Sequence, residues 1–315
     1  MGELRVGNTA ELRVDVGPVI DAEAQAGITQ HIEKFKAQGH RVFQHPSHLA
    51  MSSAQGTFVP PTLIELKHIG ELQREVFGPV LHLVRYARSD LDRLLDQINA
   101  TGYGLTQGVH TRIDETIARV VNRAHAGNVY VNRNMVGAVV GVQPFGGEGL
   151  SGTGPKAGGP LYLLRLLSQR PANALARTLA EADRTSPPDT ERRDRQLAPL
   201  GTLQQWAHHQ GDLALAGHCQ RFAQETQSGT ARTLPGPTGE RNVYTLAPRA
   251  RVLCLAPSAD DLLVQTAAVL ASGGTALWPS AQASLHAKLP TQVQAQVTLQ
   301  DNVLSNAAVA LDAVL

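Results

Sequence analysis

The chain has 315 residues, of which 42% are hydrophobic and 17% charged, and its formal net charge is +1. This composition is typical of a soluble globular protein with one large domain or two modest ones, and it argues against global disorder. A net charge near zero provides no basic footprint for nucleic acid. No run of about eighteen apolar residues predicts a membrane-spanning helix.

The cysteine content indicates the compartment. The chain has two cysteines, Cys219 and Cys254, and no CxxC motif, so we expect no disulfide framework and a cytoplasmic location. The first residues, MGELRVGNTAELRVDVG, contain no apolar segment of a signal peptide. We expect that Met1 and Gly2 form a start placed directly in front of the interior of a domain.

Helical patterns alternate with strand patterns in the first half. Asp21 is a candidate N-cap for a helix that ends near Gly39 and buries Ile28, Ile32 and Phe35. Further helices are predicted after Ser89, with Leu91, Leu94, Leu95 and Ile98 inward, and before Gly127, with Ile117, Val120, Val121 and Ala124 inward. Strands are predicted at Val80–Tyr86, Leu105–Thr111 and Asn128–Asn132. This alternation favours an α/β fold with a largely parallel sheet.

A glycine-rich segment runs from Val136 to Pro160, VGAVVGVQPFGGEGLSGTGPKAGGP. A long loop of this kind inside a compact domain is usually functional or mobile, and glycine lets backbone amides approach a ligand closely. A plain flexible loop is the alternative, because the segment contains no GxGxxG or Walker pattern.

The second half changes character. We predict a linker over 172–200, charge-rich and interrupted by proline, with a short helix possible from Asn173 to Ala182. A helix is predicted over Leu203–Gln224, followed by a turn-rich stretch at Leu234–Gly239. The patterns at Arg251–Ala256, Asp260–Leu270 and Thr275–Trp278 then predict a strand, a helix and a strand, which is one βαβ unit.

Three motifs in order resemble the aldehyde dehydrogenase superfamily. The first is DVGPVIDAEA (Asp15–Ala24) and the second is EVFGPV (Glu75–Val80). The third is Asn128–Asn132 followed by VQPFGG (Val142–Gly147) and LSG (Leu150–Gly152). The segments Gly137–Gly141 and Lys156–Pro160 resemble the pyrroline-5-carboxylate dehydrogenases within that superfamily. The chain as a whole resembles the C-terminal portion of such a dehydrogenase in bifunctional PutA-type proline-catabolic proteins.

The resemblance implies roles for five residues. Gly137 and Ala138 match the loop whose backbone amides bind the carboxylate of the substrate, and Phe145 matches an aromatic residue on the aliphatic part of the substrate. Glu75 matches the glutamate that binds the nicotinamide ribose of NAD, and Phe77 matches a residue beside the nicotinamide ring. Taken alone, Glu75 could be a surface carboxylate and Phe145 a core aromatic.

The region after Gln169 resembles a degenerate, Rossmann-like copy of the cofactor domain at the C-terminus of long PutA proteins. The expected domains are therefore 1–171, part of the catalytic domain; 172–200, the linker; and 201–315, a lid and assembly domain. Active relatives carry an oxyanion asparagine where this chain has Ala256–Asp260, APSAD, so we expect no catalysis from this unit.

The resemblance also implies what this chain lacks. The nucleophilic cysteine, the base glutamate and the oxyanion asparagine of the superfamily lie before its first residue, so we expect no catalytic residue here. Cys254 lies in an apolar strand pattern, typical of a buried and inert thiol. His40, His45 and His48 match no standard ligand spacing, and we predict no metal site.

Two hypotheses of different classes follow. In the first, the chain is part of an NAD-dependent dehydrogenase that oxidises glutamate semialdehyde to glutamate in proline catabolism, inactive alone, with FAD confined to a proline dehydrogenase part outside this chain. In the second, it is a non-catalytic lid or oligomerisation module. An aldehyde dehydrogenase with another substrate is a third reading. We expect a homo-oligomer without nucleic-acid or membrane contacts.

Overall fold

A computed structural model describes residues 1–46, 56–152, 154–182, 190–304 and 311–315. They form two compact units. The first comprises Met1–Gly137 and Gly146–Gly154, and the second comprises Ala138–Phe145 and Pro155–Leu315. Both units combine helices with sheets, so the predicted α/β class is confirmed. Among the described residues, no helix is both long and apolar enough to cross a membrane.

The first unit contains short sheets and amphipathic helices. Its helices are α1 (Ala22–Ala37), α2 (Leu91–Asn99) and α3 (Asp114–Arg123). Its strands are β1 (Arg41–Gln44), β2 (Thr62–Leu66), β3 (Val80–Val84), β4 (Tyr103–Gly104), β5 (Thr106–Val109), β6 (Asn128–Val131) and β7 (Glu148–Gly149). Strand β2 pairs antiparallel with β1 and parallel with β3; β5 and β6 are parallel, whereas β4 and β7 are antiparallel.

Helix α1 forms as its sequence predicts. The Asp21 carboxylate accepts a hydrogen bond from the Ala24 amide at 2.8 Å, and Gly39 follows the helix with a positive φ of 79°. Ile28, Ile32 and Phe35 are buried and pack with a core that strand β2 completes. The spacing of these three residues places them on one helical face, which explains the success of the prediction.

Three local predictions for the first unit are wrong. Helix α2 begins at Leu91 after a 3₁₀ turn over Arg88–Asp90, so Ser89 lies inside the turn and does not cap the helix. Strand β3 ends at Val84 rather than at Tyr86. Val121 in α3 is 41% exposed, because it lies about 100° around the helix from the buried Val120.

The second unit is built on a parallel sheet in the order β12-β11-β10-β13. Its helices are α4 (Ala174–Ala182), α5 (Thr190–Gln210), α6 (Leu213–Glu225), α7 (Ala259–Ser272), α8 (Ala283–His286) and α9 (Thr291–Gln294). Its strands are β8 (Ala231–Leu234), β9 (Asn242–Thr245), β10 (Arg251–Leu253), β11 (Thr275–Trp278), β12 (Val297–Leu299) and β13 (Ala313–Val314). The predicted βαβ unit is confirmed as β10, α7 and β11 with parallel strands.

Alternate residues of these strands face two different clusters. Val252, Ala276 and Trp278 pack in the main core with helices α5, α6 and α7. Leu253 and Leu277 pack with Val303 in a second, smaller cluster. Side chains of a strand alternate between the two faces of its sheet. In β10 and β11 the even-numbered residues therefore pack in the main core, and the odd-numbered leucines pack in the smaller cluster.

One expectation for the second unit is wrong, and one is confirmed. The single helix predicted over Leu203–Gln224 is two helices, because Gly211 has a φ of 76° and the Asp212 carboxylate caps α6 by accepting from the Leu215 amide at 2.9 Å. The turn-rich stretch Leu234–Gly239 joins strands β8 and β9 of an antiparallel hairpin.

The interval 172–200, predicted as a linker, contains α4 and the first half of α5. The helix expected at Asn173–Ala182 is therefore confirmed, and Leu200 in α5 is 1% exposed in the main core. The domain boundaries 1–171, 172–200 and 201–315 themselves stay predictions.

Candidate functional site

The segment before strand β3 presents two of the predicted site residues. Val76 is half-buried and packs against the core of the first unit. Its neighbours Glu75 and Phe77 are both exposed, with Phe77 80% exposed. The half-buried Val76 therefore holds the segment on the core, while the carboxylate of Glu75 and the ring of Phe77 remain accessible on either side of it in the sequence.

Close packing holds this segment in place. A Cβ at Gly78 would overlap the Cδ1 atom of Ile28 in α1. The Pro79 carbonyl accepts a hydrogen bond from the Thr62 amide at 2.8 Å, which joins the segment to β2. Gly78 and Pro79 therefore fix the segment that carries Glu75 and Phe77 against the buried residues of α1 and β2.

The residues predicted to bind the substrate carboxylate lie before a tight turn. In the described part of the chain, the amide N–H groups of Gly137 and Ala138 donate to no protein acceptor. A Cβ at Gly137 would meet no atom within 4 Å. Two adjacent unpaired amides can bind a carboxylate, and the absence of a side chain at Gly137 leaves room for one.

Gln143 closes the turn that follows these amides. Its side chain is 8% exposed, and its Oε1 atom accepts a hydrogen bond from the Val139 amide at 3.0 Å. The backbone amide of Gln143 donates to the Val139 carbonyl at 2.9 Å. The sequence interpretation did not assign any role to Gln143; its place directly before the PFGG motif is the signal that could have found it.

Phe145 is half-buried and fixed through its backbone. Its amide and carbonyl exchange hydrogen bonds with Ala157 at 3.0 and 2.9 Å, which forms an isolated antiparallel bridge within the second unit. This bridge connects two of the segments that carry the family resemblance, PFGG and KAGGP. The core-aromatic interpretation of Phe145 is not met in full, because the ring is only partly buried.

Gly127, directly before the third motif, and Gly147, within it, permit close backbone approaches in the first unit. A Cβ at Gly127 would overlap the Gly146 carbonyl oxygen, and one at Gly147 would overlap Ser151. The Ser151 hydroxyl also accepts a hydrogen bond from the Gly104 amide at 3.1 Å. These glycines are required by packing, so flexibility alone does not explain them.

Both cysteines are inaccessible. Cys219 and Cys254 are each 0% exposed. Burial raises the pKa of the Cys219 thiol to about 11 and that of the Cys254 thiol to about 12. Since the thiolate is the nucleophilic form, neither side chain is suited to attack a substrate at neutral pH. The prediction that Cys254 is buried is confirmed, although strand β10 ends one residue before it, at Leu253.

The histidines singled out in the sequence have ordinary surroundings. His40 contacts the Glu71 carboxylate at 3.4 Å and the Glu65 carbonyl at 3.1 Å, while His48 lies outside the described residues. His208 and His209 are exposed at the end of α5. Where the chain is described, no three His, Cys, Asp or Glu side chains are grouped to hold a metal ion.

The five predicted site residues belong to two units. Glu75, Phe77 and Gly137 lie in the first unit, and Ala138 and Phe145 lie in the second. Within each unit the structure places Glu75 beside Phe77, and Ala138 near the turn closed by Gln143.

A model of the aldehyde dehydrogenase family matches residues 1–170. The chain belongs to the aldehyde dehydrogenase family. This family member is 58% identical over 302 residues to the bifunctional protein PutA of Klebsiella aerogenes, covering 94% of this chain and 23% of that protein. It therefore spans about a quarter of the length of that relative.

Shorter relatives match about half of this aldehyde dehydrogenase family member. The 1-pyrroline-5-carboxylate dehydrogenase of Geobacillus kaustophilus is 39% identical over 165 residues, which covers 51% of this chain and 31% of that enzyme. A crystal structure of a Bradyrhizobium japonicum Proline Utilization A (PutA) mutant is 53% identical, covers 52% of this chain and 16% of that chain, and superposes with a TM-score of 0.49.

Proposed function

We propose that this chain is a portion of an NAD-dependent pyrroline-5-carboxylate dehydrogenase that oxidises glutamate semialdehyde to glutamate, the second step of proline catabolism. The observation that carries the proposal is the pair of amides at Gly137 and Ala138, which have no acceptor among the described residues and suit a substrate with a free carboxylate. The names of the relatives, PutA and 1-pyrroline-5-carboxylate dehydrogenase, support the same substrate.

In this proposal Glu75 and Phe77 contribute to the cofactor site. An exposed carboxylate has two oxygens that can accept hydrogen bonds from the two ribose hydroxyls, and an exposed ring beside it can pack near the nicotinamide. The residues present therefore fit NAD. When bound, NAD accepts the hydride that the aldehyde loses.

The chain does not supply the nucleophile in this scheme. Oxidation of an aldehyde by this family starts with the attack of a thiolate, and the pKa values of Cys219 and Cys254 are raised to about 11 and about 12 by burial. We propose that residues of the longer protein provide the thiolate, and that this chain provides the carboxylate anchor, Phe145 and part of the cofactor site.

Activity measurements test the proposal in two proteins. The first is the purified chain with pyrroline-5-carboxylate and NAD, for which we expect no NADH formation. The second is a chimera in which this chain replaces the matching residues of the Klebsiella aerogenes PutA protein, for which we expect NADH formation. A folded chimera that oxidises no pyrroline-5-carboxylate contradicts the proposal, as does turnover by the chain alone that Cys219→Ala or Cys254→Ala abolishes.

The carboxylate anchor is tested in the same chimera. Gly137→Asp places a negative charge beside the amides, and we expect the KM for pyrroline-5-carboxylate to rise about tenfold, since like charges repel. Gly137→Asn is the matched control, because it has the same shape without the charge. Equal KM values for the two variants would show that Gly137 does not lie at a carboxylate site.

A second candidate function is that of a non-catalytic assembly module, and the structure of the second unit supports it. Its sheet and helices enclose a core of their own. In the stretch Ala256–Asp260 the Ser258 hydroxyl caps helix α7 by accepting from the Asp261 amide at 3.1 Å, so that stretch has a structural role. We propose a cytoplasmic homo-oligomer. Light scattering of the purified chain checks this, and a monomer at all concentrations would contradict the assembly role.

A further inference from the structure

The loop Ala138–Phe145 groups with the second unit, although the residues on both sides of it belong to the first. One side-chain contact connects this loop with a hairpin of the second unit. The Nε2 atom of Gln143 donates a hydrogen bond to the Oε2 atom of Glu240 at 2.9 Å, across 97 positions of the sequence. Glu240 lies in the turn that joins strands β8 and β9.

The two hydrogen bonds of Gln143 define its amide orientation. Its oxygen faces the Val139 N–H, and its nitrogen faces the Glu240 carboxylate. A rotation of the amide by 180° would place nitrogen against N–H and oxygen against carboxylate, so both interactions would be lost. Because Gln143 is buried, loss of either partner leaves a polar atom without compensation.

The other end of the contact is also held. The Glu240 amide donates to the Pro237 carbonyl at 3.1 Å within the turn, and the paired residues Leu234 and Asn242 close the hairpin next to it. The carboxylate is therefore attached to a hydrogen-bonded hairpin, and it can hold Gln143 in one position through a charge-assisted hydrogen bond.

We propose that Glu240 is a positioning residue, which acts through Gln143 to hold the loop that presents the Ala138 amide to a substrate carboxylate. The inference rests on the proposed function for the identity of the ligand, an aldehyde that carries a carboxylate. The hydrogen-bonded connection itself, from the hairpin to the Val139 amide, is independent of that function.

A reciprocal exchange of the two side chains tests the connection in the full chain. Gln143→Glu places two carboxylates against each other, and we expect exchange of the hydrogen-bonded amides of Val139, Val142 and Gln143 to accelerate roughly tenfold or more. Adding Glu240→Gln should restore slow exchange, because the carboxylate at position 143 then accepts from both Val139 and the new amide. Glu225→Gln, on the exposed end of α6, removes the same charge elsewhere and should change nothing.

Activity in the chimera tests the consequence. For Gln143→Glu and Glu240→Ala we expect a higher KM for pyrroline-5-carboxylate, an unchanged KM for an aliphatic aldehyde without a carboxylate, and rescue in the Gln143→Glu, Glu240→Gln double variant. Equal effects on both substrates, or no rescue, overturn the positioning role. Unchanged loop exchange in Glu240→Ala overturns the connection, whereas a wild-type chimera inactive on pyrroline-5-carboxylate overturns the proposed function instead.

Discussion

The indole N–H of Trp278 donates a hydrogen bond to the hydroxyl of Thr266 at 2.9 Å, and both side chains are 0% exposed. The same hydroxyl donates to the Leu262 carbonyl at 2.8 Å, one turn earlier in helix α7. Thr266 thus connects strand β11 to α7. Its hydroxyl satisfies the indole N–H, which is the polar group of the Trp278 side chain in the main core.

Replacement of Thr266 by valine should therefore destabilise the chain. The shape is kept, but the indole N–H loses its acceptor in a buried position, so we expect a loss of about 1–3 kcal/mol in the free energy of unfolding, measured in urea. Thr29→Val is the matched control, because the exposed Thr29 also donates to the carbonyl four residues earlier but has no indole partner. Equal losses in the two variants would contradict the role of the Trp278 hydrogen bond.

Two glycine-to-alanine changes should have opposite effects. Gly78→Ala forces a methyl group into Ile28, and we expect a loss of about 1–3 kcal/mol from overpacking. Gly27→Ala lies inside helix α1, where a Cβ meets nothing within 4 Å, so it should stabilise by up to about 1 kcal/mol. Chemical denaturation of both variants measures the difference, and a stabilising Gly78→Ala would contradict the close packing of Gly78 against Ile28.

The pKa of His82 predicts how stability depends on pH. Burial, and then the charge of His31, lowers this pKa to about 4, and the ring nitrogens of the two residues lie 2.9 Å apart. Between about pH 6.5 and pH 4 the unfolded chain binds more protons than the folded chain, so stability falls as the pH falls through this window. His82→Gln should reduce that slope, whereas His209→Gln, on an exposed helix end, should preserve it. Thermal unfolding at several pH values measures both.

The two thiols should react only after unfolding. At about pH 8, a soluble disulfide reagent should leave Cys219 and Cys254 unmodified in the folded chain and modify both in denaturant, because burial excludes the reagent and raises both pKa values. Rapid modification of either cysteine without denaturant would show an accessible thiolate and would reopen the question of a nucleophile within this chain.

Adjacent positions in the segment proposed to bind NAD, Val76 and Phe77, should separate binding from stability. Phe77→Ala removes an exposed ring, so we expect a stability change within about 0.5 kcal/mol. In the chimera it should raise the KM for NAD roughly 2- to 10-fold. Val76→Ala removes methyl groups that pack against the core, and it should cost about 1 kcal/mol of stability with a smaller effect on that KM. The reverse pattern would contradict the cofactor role.

Local patterns in the sequence were sufficient to predict the helices and strands with strong hydrophobic periodicity. Helix α1 and the βαβ unit of β10, α7 and β11 follow directly from residue spacing and capping residues. The break between α5 and α6 was missed although Gly211 and Asp212 have the residue types of a helix stop and a helix start. Two-residue strands such as β4 and β7 carry too few residues to show a pattern.

For the candidate site, motifs with a fixed order and spacing were sufficient to predict the family. They also indicated five candidate residues, namely Glu75, Phe77, Gly137, Ala138 and Phe145. The packing of Val76 on the core and the contact between Gln143 and Glu240 became visible only in the folded chain. The reason is physical: motifs report short-range geometry, whereas a hydrogen bond between residues 97 positions apart depends on how the whole second unit packs.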